Sequence, residues 1–104
     1  MKKLGVILLV TVASLFPRCV FAEDTGYGRR LAENWCASCH LVLPGQSSTA
    51  TRAPAFGKIA QSSDFNAERL TYLLRDPHPK MAKLALSRRA INDIAAYILS
   101  LKNN

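Results

Sequence analysis

Residues 34–41 read NWCASCHL and contain the side chains of this sequence with the clearest chemical potential. Cys36, Cys39 and His40 stand at positions i, i+3 and i+4, which lie on one side of a helical turn. Two thiols so placed can add across the two vinyl groups of one haem while the imidazole reaches the iron. The order Cys-x-x-Cys-His is the attachment signature of c-type haem. We therefore predict one haem c, bonded covalently through Cys36 and Cys39, with His40 as a ligand of its iron.

Three other uses of the cysteine pair fit the sequence less well. A thioredoxin-like dithiol follows a strand of an α/β fold, and no strand pattern precedes Cys36. Structural zinc takes four ligands, whereas the chain beyond residue 22 offers only these three side chains and His78. A disulfide between Cys36 and Cys39 would close too short a loop to stabilise much. It would also leave His40 without a role.

A second axial ligand for the iron can come from few residues. Met81 is the only methionine beyond residue 22, and it follows the proline-rich residues 76–80. Ligation by histidine and methionine is a standard arrangement in electron-transfer haems. The alternatives are that Met81 fills the core or that His78 is the ligand. We expect His40 and Met81 to bind the iron, which leaves no open position and restricts the haem to passing electrons.

The start of the chain has the order of a secretory signal peptide. Lys2 and Lys3 precede an apolar run over residues 4–16, and a small-residue pattern follows at residues 20–22. We predict cleavage after Ala22, giving a signal peptide over residues 1–22 and an exported domain over residues 23–104. The apolar run is short for a membrane anchor, so no stable membrane insertion is expected after cleavage. Lipidation at Cys19 is disfavoured because Arg18 precedes it.

The net charge of the chain indicates which kind of partner surface it could bind. The formal net charge is +7, and three of the basic residues precede residue 23, which leaves about +4 on the mature domain. This mild, scattered excess of basic residues suits an acidic protein surface and is too small to indicate binding to nucleic acid.

A domain this short usually depends on a disulfide, a metal or a covalent cofactor for its stability. We expect a monomer or a small subunit of a complex.

Four helices are predicted, over residues 25–38, 55–60, 67–75 and 88–101, with a surface loop over residues 41–52. The third begins with Asn66 as N-cap, has Glu68 in its first turn and places Phe65 to pack on Leu70. It should end near residue 75, because Pro77 disfavours helical geometry at the residue before it.

The first and last helices each show one apolar face. The predicted face of the first helix is formed by Gly28, Leu31, Ala32 and Trp35. The last helix begins with Ser87 as N-cap and carries a stripe of Ile91, Ile94, Ala95 and Ile98. Trp35 and Tyr72 are expected to pack in the core, with a contact to haem propionates as the alternative.

With these residues in view, the chain over residues 26–102 resembles the class I c-type cytochromes, small single-haem proteins exported by Gram-negative bacteria. The most specific element of the resemblance is Cys36-Ala37-Ser38-Cys39-His40. It implies an all-α cytochrome c fold, in which about four helices surround one covalent haem. It also implies that Gly28 and Tyr97 lie where the first and last helices cross, and that the Pro54 carbonyl accepts the Nδ1 proton of His40.

The resemblance implies an electron carrier and not an enzyme. We expect a periplasmic electron-transfer protein that carries one electron between redox protein partners with acidic docking surfaces. Lys80 and Lys83, on either side of Met81, are expected to form a basic rim that steers such partners. One alternative is a haem c subunit of a periplasmic oxidoreductase complex such as a dehydrogenase. Another is an enzyme or sensor in which a weak Met81 bond leaves the iron open.

Overall fold

The computed structural model describes residues 22–46, 53–76, 81 and 84–103, and this part of the chain is helical without strands. The elements in chain order are α1 (Thr25–Trp35), α2 (Phe56–Ala60), α3 (Ala67–Arg75), α4 (Arg88–Ser100) and a terminal 3₁₀ turn (Leu101–Asn103). The prediction of an all-α chain with about four helices is confirmed. No helix of the described part is long and apolar enough to cross a membrane. Most of the predicted signal peptide lies outside the described residues, as do His78, Lys80 and Lys83.

The start of α3 follows from its local sequence. The side chain of Asn66 accepts a hydrogen bond from the Arg69 N–H at 2.8 Å, which satisfies a backbone donor that the helix itself cannot pair. Glu68 lies in the first turn, near the positive end of the helix dipole. Phe65 and Leu70 are both buried in the core, as the predicted staple requires. The last residue of α3 is also the predicted one.

The longer helices α1 and α4 are capped in the same way. Ser87 accepts from the Ala90 N–H at 3.1 Å, as predicted. Asp24 accepts from the Tyr27 N–H at 2.9 Å, a cap that the sequence analysis did not identify. Each such cap stabilises a helix by about 1 kcal/mol. At α1, α3 and α4 the cap is therefore a contact between residues three apart in the sequence.

The first helix ends three residues earlier than predicted, at Trp35. The prediction that Trp35 packs in the core is wrong, because this side chain is 55% exposed. The buried stripe of α1 continues instead from Ala32 to Cys36, one turn later, which leaves Trp35 on the outer side. Tyr72 is 60% exposed for a related reason, since α3 buries only Leu70 and Leu74, and Tyr72 falls on the opposite side of the helix.

Helices α1 and α4 cross at Gly28, in close backbone contact. A Cβ atom at Gly28 would lie 1.9 Å from the carbonyl oxygen of Asp93, so only glycine fits there. The prediction for Gly28 is confirmed by this contact. Tyr97 is buried on the same helix as Asp93, and the predicted apolar stripe of α4 is buried with it. This helix pair forms one wall of the core, and the core also receives Val42 from the loop after α1.

Candidate functional site

The five residues of the Cys-x-x-Cys-His motif form one turn directly after α1. The Cys36 N–H still donates to the Ala32 carbonyl at 2.8 Å, so the turn is anchored on the helix. The Cys36 carbonyl then accepts from the N–H groups of Cys39 and His40, at 3.1 and 2.8 Å. Because one carbonyl accepts both bonds, the backbone forms a tight turn here. The three reactive side chains are therefore brought onto a single turn, as their spacing in the sequence predicts.

A hydrogen bond to a distant carbonyl holds the imidazole of His40. Its Nδ1 atom lies 2.6 Å from the carbonyl oxygen of Pro54, and since that oxygen can only accept, Nδ1 is the donor. The proton on Nδ1 leaves the lone pair on Nε2, which is the form in which histidine ligates metals. The ring of Phe56 lies 5.4 Å from the His40 ring, tilted by 53°. The hydrogen bond implied by the family resemblance is thus present.

A second link joins the same two segments. The Phe56 N–H, at the start of α2, donates to the Leu41 carbonyl at 2.9 Å. Together with the bond between His40 and Pro54, it ties the residues after the motif to the residues before α2 at two adjacent points. These two bonds therefore hold residues 40–41 next to residues 54–56. Rotation of the His40 ring would break the first bond while the second holds the backbone in place.

The two cysteines differ in their surroundings. Cys36 is buried in the core and Cys39 is exposed, and the structure has them as separate thiols with no disulfide between them. Burial, with a smaller contribution from the charge of Cys39, raises the pKa of Cys36 to about 11. Cys36 is therefore a neutral thiol at neutral pH. Because thiolate is the form that ligates metals and exchanges disulfides, this environment disfavours the zinc and redox-dithiol interpretations.

The loop after His40 is held by hydrogen bonds that the sequence analysis did not predict. The side-chain oxygen of Gln46 accepts from the N–H groups of Val42 and Leu43, at 3.1 and 3.3 Å. The Tyr97 hydroxyl, on α4, donates to the Val42 carbonyl at 2.5 Å. Gly45 adopts a φ of +75°, which allows the tight turn between these contacts. Only the Pro44-Gly45 pair carried a sequence signal, that of a turn.

Met81 is half-buried and packs against the core. The residues on both sides of it, including the rival ligand His78, lie outside the described part of the chain. A methionine at this position can pack in the core, ligate the iron or do both. Its role as an iron ligand stays a prediction.

The residues present fit a covalently attached haem. Two separate thiols and an imidazole with an available Nε2 lie on one turn, which is the donor set that attachment and ligation require.

Comparison with known proteins extends the similarity well beyond the motif. The chain is 46% identical over 98 residues to Cytochrome c-552 of Bradyrhizobium diazoefficiens, in an alignment that covers 94% of this chain and 93% of that protein. No family model and no solved structure matches the chain. Since the alignment spans nearly all of both proteins, the similarity includes the helices that surround the site as well as its five-residue motif.

Proposed function

Because the chain belongs to the class I c-type cytochromes, we propose that it carries single electrons between redox proteins of the periplasm. It is an electron carrier and not an enzyme. The observation that carries this proposal is the turn that presents Cys36, Cys39 and His40 together, with Nδ1 of the imidazole already held by Pro54. The bound haem supplies the Fe(II)/Fe(III) couple that stores the electron.

Each residue of the site has a separate task in the proposal. Cys36 and Cys39 form the thioether bonds that keep the haem on the protein, so the cofactor cannot be lost to a partner. His40 ligates the iron through Nε2. Pro54 holds the ring in one orientation, and its carbonyl makes the imidazole a stronger donor by accepting the Nδ1 proton. A rigid ligand limits the rearrangement that accompanies each change of charge on the iron.

Met81 is the proposed second axial ligand. Support comes from its being the only methionine beyond residue 22 and from its position against the core. A thioether stabilises the reduced iron relative to a second imidazole and so raises the reduction potential. With both axial positions filled by the protein, small molecules have no ready access to the iron. This arrangement suits a carrier better than an enzyme or a gas sensor.

The partners are redox proteins, for which we propose acidic docking surfaces. The mature domain keeps an excess of basic residues, and Lys80 and Lys83 are the proposed rim next to Met81. Attraction between surfaces of opposite charge accelerates encounter and weakens as salt is added. The rate of electron transfer to an acidic partner should therefore fall with ionic strength. A dehydrogenase subunit is the less favoured alternative, because the relative that matches nearly the whole chain is itself named as a cytochrome c.

Export with cleavage after Ala22 completes the proposal, and one experiment tests it together with haem attachment. The protein is produced with its own signal in a bacterium that attaches haem to exported proteins, then purified from the periplasm. Its intact mass should equal residues 23–104 plus one haem, and its absorption spectrum should change on reduction. The matched control is Cys36→Ala/Cys39→Ala, which should lack the added mass. A colourless wild-type protein with the mass of its amino acids alone refutes the function.

A further inference from the structure

Asp93 is the one charged side chain in the core among the described residues, with 2% of its surface exposed. It lies on α4 at the crossing with Gly28. One carboxylate oxygen, Oδ1, accepts from the Asp24 N–H at 2.8 Å, across 69 residues of sequence. The other oxygen, Oδ2, is fully buried and has no hydrogen-bond partner. A buried carboxylate oxygen without a partner is unfavourable, and native proteins seldom leave one unpaired.

The carboxylate lies next to the predicted processing site. Asp24 is the N-cap of α1, and Glu23 is the residue that becomes first when the signal is removed after Ala22. Consecutive residues of an extended chain advance by about 3.5 Å, so the nitrogen of Glu23 is within one such step of a nitrogen that already binds Asp93. Glu23 itself is exposed, which leaves its backbone room to turn towards the carboxylate.

We propose that signal removal creates the missing partner: the new α-ammonium group of Glu23 binds Oδ2 of Asp93 and pins the start of α1 to α4. The inference rests on cleavage after Ala22 and goes beyond the electron-carrier function. With Ala22 still attached, the nitrogen of Glu23 is a neutral amide with one donor, and in that state Oδ2 is unpaired. Cleavage converts it into a cation with three donors. Hydrogen bonds between ionised groups are roughly twice as strong as neutral ones.

One opposing effect is weaker than this gain. A positive charge at the start of a helix meets the positive end of the helix dipole, which is unfavourable. At the start of α1, however, the Asp24 carboxylate accepts from the Tyr27 N–H and the Asp93 carboxylate accepts from the Asp24 N–H, so two negative side chains lie at this helix end. The local field is therefore set by two negative side chains. The exported domain gains a contact between its first and last helices that the precursor lacks.

A double-mutant cycle on the exported, haem-loaded protein tests the pairing. Four proteins are compared by guanidinium unfolding: wild type, a form with one glycine inserted before Glu23, Asp93→Asn, and the combination. The insertion moves the ammonium away from Asp93. It should raise the unfolding equilibrium constant about 10-fold in the wild-type background and less than about 2-fold with Asp93→Asn. Asp76→Asn, an exposed carboxylate at the end of α3, is the matched control and should preserve the full effect of the insertion.

An equal effect of the insertion with and without Asp93→Asn overturns the proposal, because a water molecule or a proton would then satisfy Oδ2. Should Asp93→Asn fail to fold, the reactivity of the amine decides. In wild type, acylation of the α-amino group should be about 10-fold slower than in a peptide with the sequence EDTG. Equal rates refute the pairing. The intact mass is measured first: a protein that begins at another residue overturns this inference, while an attached haem would leave the proposed function standing.

Discussion

Replacing Gly28 by alanine should separate the first and last helices. An alanine Cβ would lie 1.9 Å from the Asp93 carbonyl oxygen and 2.4 Å from its carbonyl carbon, whereas ordinary contact begins at 3.4 Å. The helices α1 and α4 would therefore have to move apart by about 1.5 Å, the difference between 3.4 and 1.9 Å. Backbone atoms cannot rotate away as a side chain can, so the whole crossing must shift. The contacts of Leu31 and Ala32 with the apolar stripe of α4 would loosen with it.

The magnitude follows from two opposing effects. Alanine has a higher helix propensity than glycine, which would stabilise α1 by about 1 kcal/mol. Forcing a methyl group into a packed contact costs about 1–3 kcal/mol, and a gap of an ångström or more along the interface removes dispersion contacts on both sides. The cost exceeds the gain, so we expect Gly28→Ala to lower the free energy of unfolding by about 1–2 kcal/mol net.

The matched control is Gly57→Ala in α2, where an added Cβ meets nothing within 4 Å. That substitution has the helix-propensity gain without the clash, so it should stabilise the protein by up to about 1 kcal/mol or leave it unchanged. Guanidinium unfolding of the haem-loaded proteins, followed by circular dichroism, measures both. If Gly28→Ala and Gly57→Ala shift the midpoint in the same direction by similar amounts, the close crossing of α1 and α4 is refuted.

The remaining predictions concern the ligand, the loop and the cofactor. Met81→Ala should lower the reduction potential and let the reduced protein bind CO, whereas His78→Ala should change neither; the opposite pattern would transfer the ligand role to His78. Burial raises the pKa of Tyr97, so the stability from its neutral hydroxyl is complete below the ordinary value of 10.0 and is lost as the pH rises through the raised value. Tyr97→Phe should therefore cost about 1 kcal/mol or more at neutral pH and show less further loss in alkali, as urea unfolding at several pH values would reveal. The Cys36→Ala/Cys39→Ala protein should be largely unfolded, and native helicity in its circular dichroism spectrum would contradict this.

Local sequence was enough to predict the helices and the reactive turn. The caps at Asn66 and Ser87 each involve an N–H three residues away, and the motif from Cys36 to His40 closes within five residues. Interactions over such short spans depend on residue type and spacing, which the sequence displays directly. The end of α3 before Pro77 was predictable for the same reason. The bond from His40 to Pro54 was expected only through the resemblance to a family.

Which side chains are buried was decided by the way the helices cross. The periodicity of α1 alone therefore gave a wrong prediction for Trp35. Trp35 shares a helical face with Leu31 in the sequence, yet the chain leaves the helix at that point and Cys36 enters the core in its place. The bonds from Asp93 to Asp24 and from Tyr97 to Val42 span 69 and 55 residues. No local pattern encodes such pairs, because a hydrogen bond across the core depends on where two separate elements come to lie. The sequence determined which residues can attach and ligate a haem. The packing of α4 against α1 and against the loop after His40 decided how firmly those residues are held.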